Sequence, residues 1–535
     1  MVSKRMQIAA GRRQNGPVAQ PNPLPAPIGG WVTAQNLASS KDGTCTVLTN
    51  AYATTTGVRL RGGNILHATL PDVVESMMNY VGSTNQQLFA ASDGNIYNVT
   101  SVADPNVTPA PVVTGQTSNY YARANFAATG AYFMYAVNGT DRAQLFDGST
   151  WQAVGAATTP IAVTGAPTDD WSHVNVYRNR LYFVRKDNLI IDYLPVDSVG
   201  GAAQQLSLGG IFLKGGSISF TATWSSESGS SALNDYLVVV STMGEAAIFQ
   251  GSFPSGTDWS FVGVYDISRP MGINAWMKAG GDVVIATERG AVPVSAARYK
   301  DPAALALDAV SRPIEPNWSR EAKARSTMPW ELAKWDSRGL FYVVMPVTSP
   351  QNEPINFTGN LQTGAWSLYS GWGMRCQAIH NDQMYFGRND GTIRIAEVTG
   401  YDLTEPYTAQ VAYSWSHLGS PGYTKTVVQA KADFLTSYPF AVQISASTGY
   451  QVMWPSPPNI AIDNSPASVF DVGLWDVARW DEGAVAFPKS TRWVSVGQTG
   501  EIFAMQLQIP VGSVNTPDAE LIMLNMTLER GGLVV

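Results

Sequence analysis

The chain has 535 residues and a formal net charge of −7. Only 14% of its residues are charged, against about 25% in an average soluble protein, yet 45% are hydrophobic, which excludes a disordered chain. The acidic balance argues against the basic footprint of a domain that grips nucleic acid, although an acidic surface suits a passage to which phosphates must not stick. Polarity comes instead from Ser, Thr, Asn, Gln and 49 Gly, with 32 Pro. That composition favours short strands and tight turns over helices. A chain of this length exceeds one ordinary core, so two or more domains are expected.

Residues 1–30 read as an extended arm. Lys4, Arg5, Arg12 and Arg13 make it basic, and "GPVAQPNPLPAPIGG" (16–30) favours polyproline-like extension. The basic start lacks an apolar core, so it does not read as a secretory signal. Sequons such as Asn98-Val99-Thr100 are then chance matches. No stretch approaches the roughly 18 apolar residues of a membrane helix.

Residues 31–79 read as a β segment joining two domains. In "GVRLRGG" (57–63) Val58 and Leu60 face one side, and Arg59 and Arg61 the other, a solvated or salt-bridged face.

From 80 to 400 one phrase recurs: an apolar run of five to eight residues beside a turn. The turns fall near Asp93, Asp147, Asp187, Gly244, Arg289, Arg338 and Asp390, at intervals of 54, 40, 57, 45, 49 and 52 residues. A period of about 40–50 residues holding four short strands is the content of one propeller blade. The expectation is an all-β chain: an irregular β-propeller of about six to seven blades over 80–400. "WSSESGSSALND" (224–235) reads as an insertion. From 401 to 535 longer alternating strands, interrupted by the Pro-rich loop 453–468, predict a β-sandwich-like platform domain. Strands from 31–75 are candidates to complete it.

Chemistry is sparse. His67, His173, His380 and His417 lack metal-ligand spacing, and two cysteines, Cys45 and Cys376, read as buried free thiols. No phosphate loop, dinucleotide fingerprint or nucleophile elbow occurs. The carboxylates of "DDW" (169–171) point to opposite faces of an extended chain. "FDGSTW" (146–151) resembles a truncated Asp box of the sialidase type, S-x-D-x-G-x-x-W, but Asp147 and Gly148 are adjacent and the leading Ser is missing. A true Asp box is itself a fold-stabilising turn. No catalytic, cofactor-binding or metal residue is assigned, and the chain is not expected to be an enzyme.

Four segments carry a resemblance that spans most of the chain. They are "GGWVTAQNLASSKDGTCTVLTNAYATTTGVRLRGG" (29–63), "GTDWSFVGVYDISRPMGINAWMKAGGDVVIATERGAVPVS" (256–295), "GNLQTGAWSLYSGWGMRCQAIHNDQMYFGRNDGTIRIAE" (359–397) and "TRWVSVGQTGEIFAMQLQIPV" (491–511). In order, they resemble the tail nozzle, or tail tubular, proteins of short-tailed (podovirus-type) bacteriophages. The motifs are loose, built from turn and aromatic positions. The resemblance implies a propeller plus a platform, assembled as a homohexamer around the DNA exit channel. It implies contact with the adaptor ring below the portal and with tail fibres or tailspikes. It implies a virion component, assembled in the host cytoplasm, that retains packaged DNA and conducts it during ejection without sequence-specific binding. The alternative reading is a propeller that binds or degrades glycans on a host surface.

Overall fold

The computed structural model describes residues 20–533 apart from 129, 226–234, 299–304, 306, 350–351, 437–439, 458–486 and 514. The basic part of the arm, most of the 224–235 insertion and most of the 453–468 loop lie outside the described residues.

Among the described residues, seven blade-like groups of strands form a ring. Blade 1 is Ser76–Val81, Gln86–Ser92, Asn95–Asn98 and Pro111–Val113, and blade 2 is Ala122–Ala128, Ala131–Val137, Gln144–Phe146 and Trp151–Ala153. Blade 3 is Trp171–Tyr177, Arg180–Arg185, Ile190–Tyr193 and Gln204–Ser207; blade 4 is Ile218–Ser225, Asp235–Ser241, Glu245–Gln250 and Ser260–Asp266. Among the described residues blade 5 has three strands, Trp276–Ala279, Asp282–Thr287 and Gly290–Pro293; blade 6 has Glu331–Trp335, Leu340–Val344, Ile355–Asn360 and Trp366–Ser370. Blade 7 takes Met374–His380, Gln383–Arg388 and Thr392–Ala396 from one end of the repeat and Asn64–Thr69 from the other. Ile65 pairs with Ile395 and Thr69 with Thr392, so the chain closes its own ring. The innermost strand of blade 7 then packs against that of blade 1.

Each blade carries one of the seven turns seen in the sequence, though not always the same one. Asp93, Asp187, Gly244, Arg289 and Asp390 join second to third strands, whereas Asp147 lies one hairpin late and Arg338 one early. The equivalent turn of blade 2 holds Gly139, which would make the first two intervals 46 and 48 residues. Asp93 and Gly94 both have positive φ, 47° and 68°, the conformation of a tight hairpin turn matched to strand twist.

The platform is a sandwich. One sheet holds Ala51–Ala53, Val58–Leu60, Tyr423–Thr436 and Ala519–Leu533, with Gln20–Pro25, Phe487–Ser490 and Val494–Gly500 added. The facing layer holds Cys45–Thr49, Glu405–Tyr413, Gln443–Thr448 and Phe503–Val511. Alternating residues from both, among them Val427, Ala430, Phe434, Leu524 and Met526 against Leu48, Val411, Met505 and Leu507, share one core. The same core runs on into Val284 and Ala286 of blade 5, Trp318 of the helix Glu315–Ala324 between blades 5 and 6, Trp330 just ahead of blade 6, and Phe357 and Trp366 of blade 6. Strand pairing also crosses the boundary: Thr49 pairs with Leu368 of blade 6, and Asp402 with Asn64 of blade 7.

The strands therefore interleave the expected segments. The 79/80 boundary falls inside the first strand of blade 1, and the joining segment supplies both platform strands and the outer strand of blade 7. Within the expected arm, Gln20–Pro25 is a platform edge strand, with Leu24 opposite Leu524. Pro21, Pro23 and Pro25 alternate on its exposed positions, where a missing N–H costs no ladder bond.

Candidate functional site

The innermost strands of blades 2, 6 and 7 begin at one end of the propeller axis, and each carries a charged residue at its first or second position. Arg123 comes from blade 2, Glu331 from blade 6 and Arg375 from blade 7. Tyr120 precedes blade 2, and Asn274 precedes blade 5. The Asn274 side-chain amide donates to Glu331 Oε1 at 3.3 Å and to the Tyr121 carbonyl at 3.2 Å. Arg123 Nη2 donates to the Gln377 carbonyl at 3.1 Å. The Arg375 guanidinium lies 5.5 Å from the centre of the Tyr120 ring.

This cluster is deeply set: Glu331 is 1% exposed and Arg375 4%. Burial raises the Glu331 pKa against the opposing pull of Arg123 and Arg375, and burial likewise raises that of Tyr120. Three atoms here have no protein hydrogen-bond partner: Glu331 Oε2, Arg375 Nη1 and Tyr120 Oη. A carboxyl, two arginines and a phenol are groups that glycan chemistry uses. Access to the cluster is restricted. The segment 271–275 reaches across the mouth: Ile273 packs on the core of blades 2 and 3, and Leu332 N–H donates to the Asn274 carbonyl at 3.1 Å. The cluster ties blades 2, 5, 6 and 7 together across the axis.

A second polar centre joins propeller to platform. Arg61 is fully buried, and its five N–H donors all find acceptors. Nε donates to Asn50 Oδ1 at 2.9 Å; Nη1 to the Gly62 carbonyl at 2.8 Å and Asp402 Oδ1 at 3.0 Å; Nη2 to the Ser370 carbonyl at 3.0 Å and Asp402 Oδ2 at 2.7 Å. The Tyr407 ring centre lies 3.8 Å from the guanidinium carbon. A group so fully engaged is a structural clamp. Beside it a cleft of about 570 Å³ is lined by Ser370, Arg388, Arg394, Asp402, Tyr407 and Thr408, among others. The approach is close: a Cβ on Gly63 would stand 1.9 Å from the Tyr401 carbonyl oxygen, so the glycine of "RGG" is needed there.

The residues singled out from sequence are dispersed. Burial pushes the His173 pKa down to about 3. His67 bonds the Val99 carbonyl, and His380 the Asn79 side chain. Among the described residues no three His, Cys, Asp or Glu side chains are grouped to hold a metal ion. Cys45 and Cys376 are buried and free, and burial raises both pKa values. Asp147 Oδ1 accepts from the backbone of Ser149 at 2.8 Å and of Thr150 at 2.7 Å, a turn-stabilising role. The "DDW" carboxylates form no site; Trp171 Nε1 instead donates to buried Asp192 at 2.8 Å. Arg59 and Arg61 are both ion-paired, to Asp518 and Asp402, but only Arg59 reaches solvent. Glu331, Arg123 and Arg375 escaped notice in the sequence. Their one local signal is a charge inside an apolar strand, as in "WELAKW" and "GMRCQAIH".

No helix among the described residues is long and apolar enough to cross a membrane. All-β composition, blade-like sheets and ring closure define an all-β propeller with a sandwich platform. No protein-family model matches the chain, and no curated protein does. Among solved structures, a computationally designed protein, Ika8, aligns over 63% of this chain and 100% of its own, at 9% identity and a TM-score of 0.37. Raptor from Chaetomium thermophilum aligns over 64% of this chain at 8% identity and a TM-score of 0.41; the match spans 29% of Raptor's length.

Proposed function

We propose that this chain is a structural component of a bacteriophage tail, a nozzle subunit. Copies assemble as a closed ring around the DNA exit channel, below the portal and adaptor. The ring retains packaged DNA, conducts it during ejection and anchors tail fibres. The observation that carries the reading is a pair of long, uncovered strand edges on different parts of one continuous body. Among the described residues, Ser260–Asp266 of blade 4 and Val494–Gly500 of the platform each have a hydrogen-bonded neighbour on one side only. Both are seven residues long without Lys or Pro. The outer strands of blades 1, 2 and 3 are shorter, and those of blades 6 and 7 are paired to the platform. Open edges are templates for pairing with another chain, and a ring of identical subunits needs two different surfaces on each copy. The side-chain closure of the propeller axis supports placing a DNA passage between subunits rather than through one propeller. The sequence resemblance supplies the tail context and the six-fold count.

The glycan-acting alternative requires an open pocket around a carboxylate. Glu331, at 1% exposed, supports that reading less well. Light scattering and negative-stain imaging of the full chain with its adaptor test the proposal: rings with an axial channel are expected, and glycan release from host envelopes by the isolated chain would overturn it.

A further inference from the structure

We infer that the cleft between blade 7 and the platform is an oxyanion-binding site, built on Arg388 and Arg394, for a carboxylate- or phosphate-bearing group. The argument starts from unbalanced pairing. The two arginines share one carboxylate: Asp390 Oδ2 lies 2.7 Å from Arg388 Nη1 and 3.7 Å from Arg394 Nη2. Asp390 is also committed to the Thr392 backbone and hydroxyl. The other acid on the inner wall, Asp402, is taken by Arg61, Asn64 and Trp372. Glu405 sits exposed at the rim.

Donors are left over. Arg394 is 6% exposed and gives Nη1 to Asn64 Oδ1 at 3.2 Å. Its Nε, and that of Arg388, are buried without a hydrogen-bond acceptor. Buried polar groups in folded proteins nearly always find partners, so two orphaned donors behind one cleft mark a place where an acceptor is worth most. Burial, and then the neighbouring Arg388, push the Arg394 pKa down to about 10; the charge of a bound anion would oppose both effects. Ser370, Thr404 and Thr408 line the same walls with hydroxyls. The volume of about 570 Å³ lies within the range of about 300–1,000 Å³ typical of ligand pockets. Paired arginines match the planar fork of a carboxylate better than lysines would.

The site is independent of ring assembly, and so is its test. Malonate and inorganic phosphate are titrated into the full chain at constant ionic strength, read by calorimetry and by unfolding temperature. Saturable binding at one site per chain is expected, weakened at least tenfold by Arg394→Gln or Arg388→Gln and unchanged by Lys431→Gln on the platform surface. A short peptide with a free C-terminal carboxylate, compared with its amide, separates the sources. Displacement of malonate by the free acid alone assigns a polypeptide carboxylate, and binding of malonate or phosphate without displacement assigns a free anion. No saturable binding of either probe to the wild-type chain overturns the inference. So does unchanged affinity in Arg388→Gln, which retains the test if Arg394→Gln fails to fold.

Discussion

The Arg61 guanidinium grips the Asp402 carboxylate with two parallel hydrogen bonds, 3.0 Å from Nη1 to Oδ1 and 2.7 Å from Nη2 to Oδ2. The two residues stand 341 positions apart, one before the propeller's closing strand and one after its last blade. Removing one partner of a buried pair strands the other charge, at a cost of about 3–5 kcal/mol. Asp402→Ala should lower stability by that order. Replacing both, as Arg61→Met with Asp402→Leu, should cost less than Asp402→Ala alone, since no unpaired charge remains buried. Chemical denaturation of the three variants measures the difference.

Gly94→Val should damage folding. Gly94 has φ 68°, and a Cβ there would stand 2.7 Å from the Gln116 carbonyl oxygen. Strain of this kind costs about 1–3 kcal/mol, before the clash is counted. The expected outcome is a lower unfolding midpoint and poor assembly. An intact fold with a lost ligand would make the turn a site instead of a joint.

The architecture was largely legible because it repeats. One turn per blade at intervals near 50 residues, with short β-branched and aromatic runs, pointed to a propeller even where Asp147 and Arg338 marked neighbouring hairpins. The blade-7 closure was not legible, because Asn64–Thr69 pairs with Thr392–Ala396 across more than half the chain and leaves no local pattern. The helix Glu315–Ala324 was also missed. Its signals, Pro near the first turn and Glu321 four residues before Arg325, are short and weak beside an all-β background. The axial and junction clusters were invisible for the same reason as the closure: Arg123, Glu331 and Arg375 meet only once the ring exists.

Acid should destabilise the chain through His173. Its pKa falls from 6.5 to about 3 on burial, so the unfolded chain takes up a proton that the fold refuses. The sign follows: stability is intact above pH 6.5 and falls as pH drops towards about 3. His173→Gln should flatten the unfolding midpoint over that window. A slope unchanged by the substitution would assign acid sensitivity elsewhere.

Glu331 acts in the opposite sense. Its pKa is raised by burial, so the fold favours the protonated acid and loses that advantage as pH rises through and above the ordinary carboxylate range. Glu331→Gln should therefore be least harmful at neutral pH and most harmful at acidic pH, read as the difference in midpoint from wild type across a pH series.

Phe261→Lys tests the blade-4 edge. Phe261 is 51% exposed, so the isolated fold should change by no more than about 0.5 kcal/mol. A lysine on the edge opposes strand pairing, so ring formation on the adaptor should weaken by tenfold or more in sedimentation or light scattering. Undiminished ring formation would remove this edge from the interface.

The central claim is that the chain is a tail component, and the composition of purified virions tests it most directly. Quantitative mass spectrometry of particles produced by the genome encoding this chain should find it at six copies per tail. Its absence from those particles would contradict the account.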